Sequence, residues 1–429
     1  MLAAAGAEPN DGFVQLSRTL ANVANKQGAL KLVQQLAQDY PRLLMARLTV
    51  AQVAMTAGDE ATASQELARA RELRPESEAA VLFEAQIAQR RSNAAALQVL
   101  EAYLDRYPGS REVRLNYARS LVAEKRFGDA RSEFQRLVAA FPENTEVIFS
   151  VALLSLQLND YALAENYLKR LLTLDFRDQS LVRLYLGQIA EEQQRPSDAL
   201  GWYKDVQPGE QYLTARVRHA QILSRQGQLD EARKWLQDSA ITGSQQRVQL
   251  ILAEAQLLRD AGQPKPAFDL LGNALDRLPD NPDLLYDYAM LAERIERVDL
   301  LESSLRKLIS LKPDHAHAYN ALGYSLADRN LRLTEARELI EKALKLAPED
   351  AFIVDSMGWV LYRQGAMDES LKYLRRAFSA RQDPEIAAHL AEVLWMSGER
   401  GEAEKVLKEV GDKNPGNDTL TNTLKRLKP

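Results

Sequence analysis

Apolar residues recur along the whole chain at spacings of three and four, with charged residues filling the positions between them. That period puts the apolar side chains on one stripe of an α-helix, where a strand would alternate every second residue. The stripes are short, about a dozen residues each, and Gly, Asn, Asp, Thr or Pro separates them. The pattern predicts an all-α chain of amphipathic helices joined by tight turns, with no strand.

The stripes repeat. An alanine with an apolar neighbour four residues on and a helix end about twelve on recurs at Ala29, Ala63, Ala96, Ala130, Ala164, Ala199, Ala232, Ala267, Ala336 and Ala403. Leu301 and Ser370 fill the two remaining places, and the steps of 33 to 35 residues total 374, which is 11 × 34. Prolines close many units, at Pro41, Pro75, Pro108, Pro142, Pro208, Pro279, Pro313, Pro348 and Pro415, where a helix has just ended. A second small residue precedes ten of these twelve positions by about twelve: Ala51, Ala118, Ala152, Gly187, Ala220, Ala255, Ala289, Gly323, Gly358 and Ala391. Seven residues later comes a turn residue, as at Gly58, Asn159, Gly227, Gly262, Gly365 and Gly398. Asp59, Asp230 and Thr334 follow such turns as expected N-caps.

Each unit therefore reads as helix A, tight turn, helix B, with small residues at two fixed places so that the helices can approach closely. At the departures, Leu301 and Ser370, looser packing is expected. The tail from Asn417, with Leu420, Leu424 and Leu427, predicts a last amphipathic helix covering the final repeat. Phe13, Leu16, Leu20 and Val23 form an apolar stripe on the first helix that looks uncovered.

This pattern resembles the tetratricopeptide repeat over about 406 of the 429 residues. The best copies run Tyr319-Asn-Ala-Leu322-Gly323-Tyr-Ser-Leu326…Ala336…Ala343…Pro348 and Val354-Asp-Ser-Met357-Gly358-Trp-Val-Leu361…Leu374…Ala377. The resemblance implies a tetratricopeptide-repeat α-solenoid, a right-handed superhelix of about twelve helix–turn–helix repeats over residues 10–415. Residues 1–9 form a leader or linker and 416–429 a C-terminal capping helix.

Composition narrows the chemistry. The chain has no cysteine, four histidines and a net charge of −5. Disulfide scaffolds, thiolate metal sites and cysteine nucleophiles are excluded, and the charge argues against a sequence-independent grip on nucleic acid. No apolar run reaches the roughly 18–20 residues of a membrane-spanning helix. The first ten residues lack a basic region and an apolar core, so they do not read as a signal peptide. A cytosolic protein and a segment lying downstream of a signal or lipid anchor are both compatible with that start. His315 and His317, two apart on a helix, point in opposed directions and would not share an ion, and the four histidines read as surface or groove residues. No nucleotide-binding, serine-hydrolase or zinc-protease motif is present. No catalytic, cofactor-binding or metal residues are assigned, and the chain is read as non-enzymatic.

In the tetratricopeptide family, helix A lines an inner groove through the residues six and three before the small residue and one and four after it. Carried onto this chain, that register gives Met45, Leu48, Gln52, Met55, Leu82, Gln86 and Gln89 near the N-terminus, and Phe149 and Leu153 further on. Towards the C-terminus it gives Tyr286, Met290, Asn320, Tyr324, Phe352, Asp355, Trp359, Tyr362 and Trp395. Only 7% of the residues are aromatic, so this clustering marks 280–415 as the densest expected contact surface. Large rigid rings supply contact area at low entropic cost. The Lys/Asn set that clamps a terminal carboxylate in chaperone-binding relatives is not reproduced in adjacent repeats.

The segment from His317 to Tyr362 further resembles the large tetratricopeptide lipoproteins of proteobacterial envelopes. That resemblance implies an adaptor, periplasmic and anchored to the outer membrane by a lipid on a cysteine that this chain does not contain. Its partners would be a carboxyl-terminal processing protease and the peptidoglycan hydrolases delivered to it. Two other readings stay open at this stage. One is a repeat scaffold for an exopolysaccharide or secretion assembly, and the other is a cytosolic chaperone-docking protein.

Overall fold

A computed structural model of the chain describes residues 9–20 and 22–427. Most of the expected leader (1–8) and the last two residues of the expected cap lie outside the described residues. The described residues form 25 α-helices and no strand, which is twelve A/B pairs followed by one further helix. Contacts divide the chain into two compact units on either side of the Gln207–Pro208 bond. The first holds α1 (Pro9–Leu20) to α12 (Pro196–Lys204), and the second α13 (Tyr212–Arg225) to α25 (Asp418–Leu427).

Within each unit the repeat alanines are the points of closest approach. Ala63, Ala130, Ala164, Ala199, Ala232, Ala267, Ala336 and Ala403 are 0% exposed, and so are their helix-A partners Ala51, Ala118, Ala152, Ala220, Ala255, Ala289 and Ala391. The two departures are equally well packed, against the expectation of looser packing. Leu301 is 1% exposed, and the buried Ser370 hydroxyl donates to the Gly358 carbonyl at 2.7 Å. A serine fits here because its one donor finds an acceptor across the helix pair.

The turn residue seven places after the small one takes the left-handed backbone in nearly every repeat. Gly58, Gly227, Gly262, Gly365 and Gly398 have φ between 72° and 94°. Lys125, Asn159, Gln194, Glu296 and Asn330 hold the same position at φ 55° to 62°, so the turn geometry is imposed even where glycine is missing. Asp59 caps its helix, accepting from the Thr62 amide at 3.0 Å. Asp230 and Thr334 do not cap: helices α14 (Leu229–Gln237) and α20 (Leu333–Leu346) begin before them, behind Gln228 and Arg332. Asp230 instead lies in the first turn, where its charge complements the helix dipole.

The ends also differ from the sequence pattern. Phe13 is 0% and Leu20 8% exposed, because α1 packs on α3 (Leu44–Thr56) and the Phe13 ring meets Tyr40 edge-on at 5.6 Å. That stripe is therefore covered within the chain. At the other end, α25 packs against α23 (Pro384–Met396). Leu420 is buried and Leu427 packs on the core, whereas Leu424 stays 43% exposed.

Two glycines measure the close approach. A Cβ on Gly323 would lie 2.8 Å from the Ala336 carbonyl oxygen, a backbone atom that has little room to give. Gly201, also helical, would meet nothing within 4 Å. Gly323→Ala should cost about 1–3 kcal/mol through overpacking, while Gly201→Ala should stabilise by about 0.5–1 kcal/mol through helix propensity. Urea unfolding followed by circular dichroism reads both, and equal signs for the two would contradict the packing described.

Candidate functional site

The inner face of the first unit is built by α1, α3, α5 (Glu78–Gln89) and α7 (Arg111–Ala123). They enclose a cavity of about 590 Å³ lined by Met45, Leu48, Gln52, Ala79, Leu82, Phe83, Gln86 and Gln89, with Val14 and Arg18 at one end. Met45, Leu48, Gln52, Leu82, Gln86 and Gln89 are expected helix-A residues of the second and third repeats, whereas Ala79 and Phe83 are not among those expected. Met55 lines a smaller adjoining cavity with Gln52 and Gln86. In the fourth repeat Asn116 and Ser120 line the wall, each one residue beyond the positions, Leu115 and Arg119, that the register counted from Ala118 gives. Thioether, aliphatic and amide groups dominate, which suits an uncharged stretch of polypeptide.

A second cavity escaped the sequence reading. Between α4 (Glu60–Leu73) and α6 (Asn93–Arg106), over α5, about 850 Å³ is lined by Arg71, Glu84, Arg91, Val99, Tyr103, Arg106 and Tyr107. Arg71 and Glu84 pair across it at 2.7 Å. Helix-B residues form most of its walls, and a pattern tuned to helix A has no means of flagging them.

The residues singled out from the sequence fall into three environments. Phe149 and Leu153 are half-buried, and the Phe149 ring lies 5.1 Å from Phe176 and 6.1 Å from Tyr185. Tyr286, Met290, Tyr324, Tyr362 and Trp395 are partly buried side chains packed on the core of the second unit. Phe352 is 36% exposed beneath the Arg381 guanidinium, 5.0 Å from its ring centre. Trp359 and Asp355, each 3% exposed, do not face solvent. A ring buried to that depth offers no free contact surface, so the expectation that Trp359 stands in an open groove is corrected.

Trp359 is buried because His389 covers it. Their rings stack at 4.3 Å, joining α21 (Ala351–Arg363) to α23. His389 Nδ1 lies 2.7 Å from Asp355 Oδ2, and Nε2 lies 3.2 Å from the Tyr324 hydroxyl on α19 (Ala316–Asp328). Glu385 reaches the same hydroxyl at 3.5 Å. Burial alone would push the imidazole down, but the Asp355 carboxylate overcomes it and holds His389 above its ordinary value. Burial raises Glu385, with Asp355 and Asp383 adding to the effect against the imidazolium. Burial also pushes the Tyr324 phenol well up, which keeps it neutral rather than activating it as a nucleophile.

His389 and His219 are therefore core residues rather than surface ones. His219 stacks on Trp235 at 4.0 Å, and the buried Arg216 lies 3.7 Å over the same indole. His315 is an N-cap whose Nδ1 accepts from the Ala318 amide at 3.0 Å. His317 is exposed on the helix that follows. No group of three metal-binding side chains occurs among the described residues, and none of the described helices is long and apolar enough to cross a membrane.

Stacked A/B helix pairs of this length, with small residues at the crossings, define an all-α tetratricopeptide-repeat solenoid, a protein-binding fold. Profiles of the tetratricopeptide repeat match residues 88–152, and residues 152–212 and 302–351. Those matched segments are such repeats. It is 39% identical over 242 residues to the TPR repeat-containing protein PA4667 of Pseudomonas aeruginosa, a match covering 56% of this chain and 41% of that protein. The chain thus spans about two-fifths of the length of that relative. Among solved structures it is similar to a tetratricopeptide repeat protein from Parabacteroides merdae, with TM-score 0.46, 14% identity, and 58% of this chain and 99% of that one covered. It is also similar to Naa15/Naa10 bound to HypK-THB, with TM-score 0.45, 16% identity, and coverage of 92% and 68%.

The stacked histidine makes stability depend on pH in a fixed direction. Its folded pKa lies above the unfolded value of 6.5, so its contribution is complete below that value and is lost as pH rises through the folded pKa. The stability gap between the wild type and His389→Gln should therefore be widest below the unfolded value of 6.5 and shrink as pH rises through the folded pKa. Urea unfolding at a series of pH values measures it, and a gap that widens with pH would contradict the Asp355–His389 pairing. Separately, Trp359→Ala should cost about 3–5 kcal/mol, the penalty of a core ring rather than of a surface one.

Proposed function

We propose that this chain is a non-catalytic adaptor of the cell envelope, which binds a carboxyl-terminal processing protease and brings peptidoglycan hydrolases to it for degradation. In its repeat texture the chain resembles LbcA, an outer-membrane lipoprotein partner of such a protease. On that resemblance the full-length protein is periplasmic and held at the outer membrane by a lipid.

One observation carries the reading: the two units present inner faces of unlike chemistry. The first offers a cavity of mostly aliphatic, thioether and amide groups, with Arg18 at one end and no carboxylate in its lining. The second offers partly buried aromatic rings with the Glu385 carboxylate beside Tyr324, and Asp355 buried beneath them. An adaptor needs two such surfaces, one per partner, and no chemistry of its own. Holding substrate and protease on one chain turns a bimolecular encounter into a tethered one and raises the effective concentration of the substrate.

Reconstitution tests this directly. With purified protease and a labelled hydrolase, adding the chain should accelerate cleavage by about tenfold or more under dilute conditions, and the gain should fall again when excess chain separates the two partners. A chain that neither binds the protease nor changes the cleavage rate would rule the adaptor out.

A further inference from the structure

We propose that the inner face formed by α19, α21 and α23 receives a cationic side chain, arginine or lysine, presented by a partner polypeptide. This deepens the adaptor reading by giving the chemistry of one partner, and it rests on that reading's assignment of the inner face as a docking surface.

The face is short of positive charge. His389 is the single cation in contact with Asp355, while Glu385 stands on the other side of the Tyr324 hydroxyl, 3.5 Å away. Against the one imidazole of His389 at 3.2 Å, four carboxylates act on that hydroxyl: Glu385, Asp328, Asp355 and Glu293. The same holds one repeat earlier at Tyr286, which senses Asp287, Asp350 and Glu293. Some of these acids are answered within the chain. Arg329 pairs with Glu293 at 3.2 Å, Arg259 lies 3.9 Å from Asp287, and Arg426 pairs with Glu392. Glu385 and Asp328 have no arginine or lysine partner among the described residues.

The face also has acceptors to spare. Asp355 Oδ1 and Asn320 Oδ1 are buried without a hydrogen-bond partner, and Asp355 is only 3% exposed. A buried carboxylate oxygen with no donor is costly to leave so, and a guanidinium or ammonium group seated above it, at Glu385 and the Tyr324 ring, supplies the missing charge. The aromatic lining points the same way. Guanidinium groups from the chain itself already lie over three rings of these repeats: Arg381 over Phe352, Arg363 over Trp359 and Arg400 over Trp395, at 5.0, 5.9 and 5.2 Å. The Tyr324 ring, beside the unanswered carboxylate, carries none among the described residues. An electron-rich ring next to an unpaired acid is a setting that attracts a cation. This polarity is opposite to that of a groove that clamps a terminal carboxylate.

The probe is acetyl-Ala-Arg-Ala-amide, compared at matched ionic strength with the same tripeptide carrying citrulline, which keeps the shape of arginine and removes its charge. The full chain has four tryptophans, so indole N–H signals in nuclear magnetic resonance spectra are few, and Trp359→Phe assigns the one that matters. The arginine peptide should shift the Trp359 signal saturably, and citrulline should weaken binding by about tenfold. Glu385→Gln, at an exposed position, should weaken it by at least about fivefold with the fold intact. Equal shifts with citrulline, an unchanged affinity in Glu385→Gln, no shift with either peptide, or a stronger response to the glutamate counterpart would each overturn the proposal. Neither protease nor hydrolase enters this experiment, so its failure is distinguishable from failure of the reconstitution.

Discussion

The distance between helices A and B within each repeat is the constraint on which everything else depends. It is set where small residues let the helices close on each other: a Cβ on Gly323 would lie 2.8 Å from the Ala336 carbonyl oxygen, and Ala51, Ala63, Ala118 and Ala130 are all fully buried. With the axes drawn that close, the connecting turn has to be short, so one residue takes the left-handed backbone. Lysine, glutamine and glutamate accept it at positions 125, 194 and 296 despite a steric cost of about 1–2 kcal/mol. The crossing also fixes the rotation of each helix, and hence which side chains reach the inner face. Ser370 shows how far the rule stretches: one extra oxygen is tolerated because Gly358 supplies an acceptor at 2.7 Å.

Once the rotation is fixed, the inner face differs between the units only through the residues that happen to occupy it. In the first unit these are Met45, Leu48, Gln52, Leu82 and Gln86, which leave an open cavity free of carboxylates. In the second they are large rings and acids, and the rings fill the space between neighbouring A helices. Trp359 and His389 close on each other, with Asp355 held beneath them and Tyr324 against them. A buried polar assembly of this kind ties three consecutive repeats together through hydrogen bonds and stacking, and it leaves the surface above it negative.

Much of this was legible in the residues. The period of 34, the helix pairs, the turn residues and the final helix follow from spacing alone, because each depends on local geometry. The inner-face register was legible for the second and third repeats. Depth was not. Periodicity says which side of a helix a residue occupies, whereas how far it is covered depends on a side chain about 30 residues away, as Trp359 depends on His389. The same limit explains Phe13, whose cover comes from α3 and Tyr40, and Leu424, which lies on the expected stripe of a helix too near the end of the stack to be covered. Asp230 and Thr334 look like caps by residue type, but the preceding residue already takes helical geometry. His389 offered one usable signal: ionisable residues at inner positions of successive repeats, Asp355 and then Glu385, one helical turn before His389.

The absence of cysteine, at first only an exclusion, makes the central claim directly measurable, because a single introduced thiol is unique in the chain. A photo-reactive group attached at Gln86→Cys, on the inner wall of the first unit, should cross-link to a bound protease or hydrolase. The same group at Gln98→Cys, on the helix-B side, should not. Cross-links from position 98 with none from position 86 would contradict the assignment of partner binding to the face that the small residues turn inward.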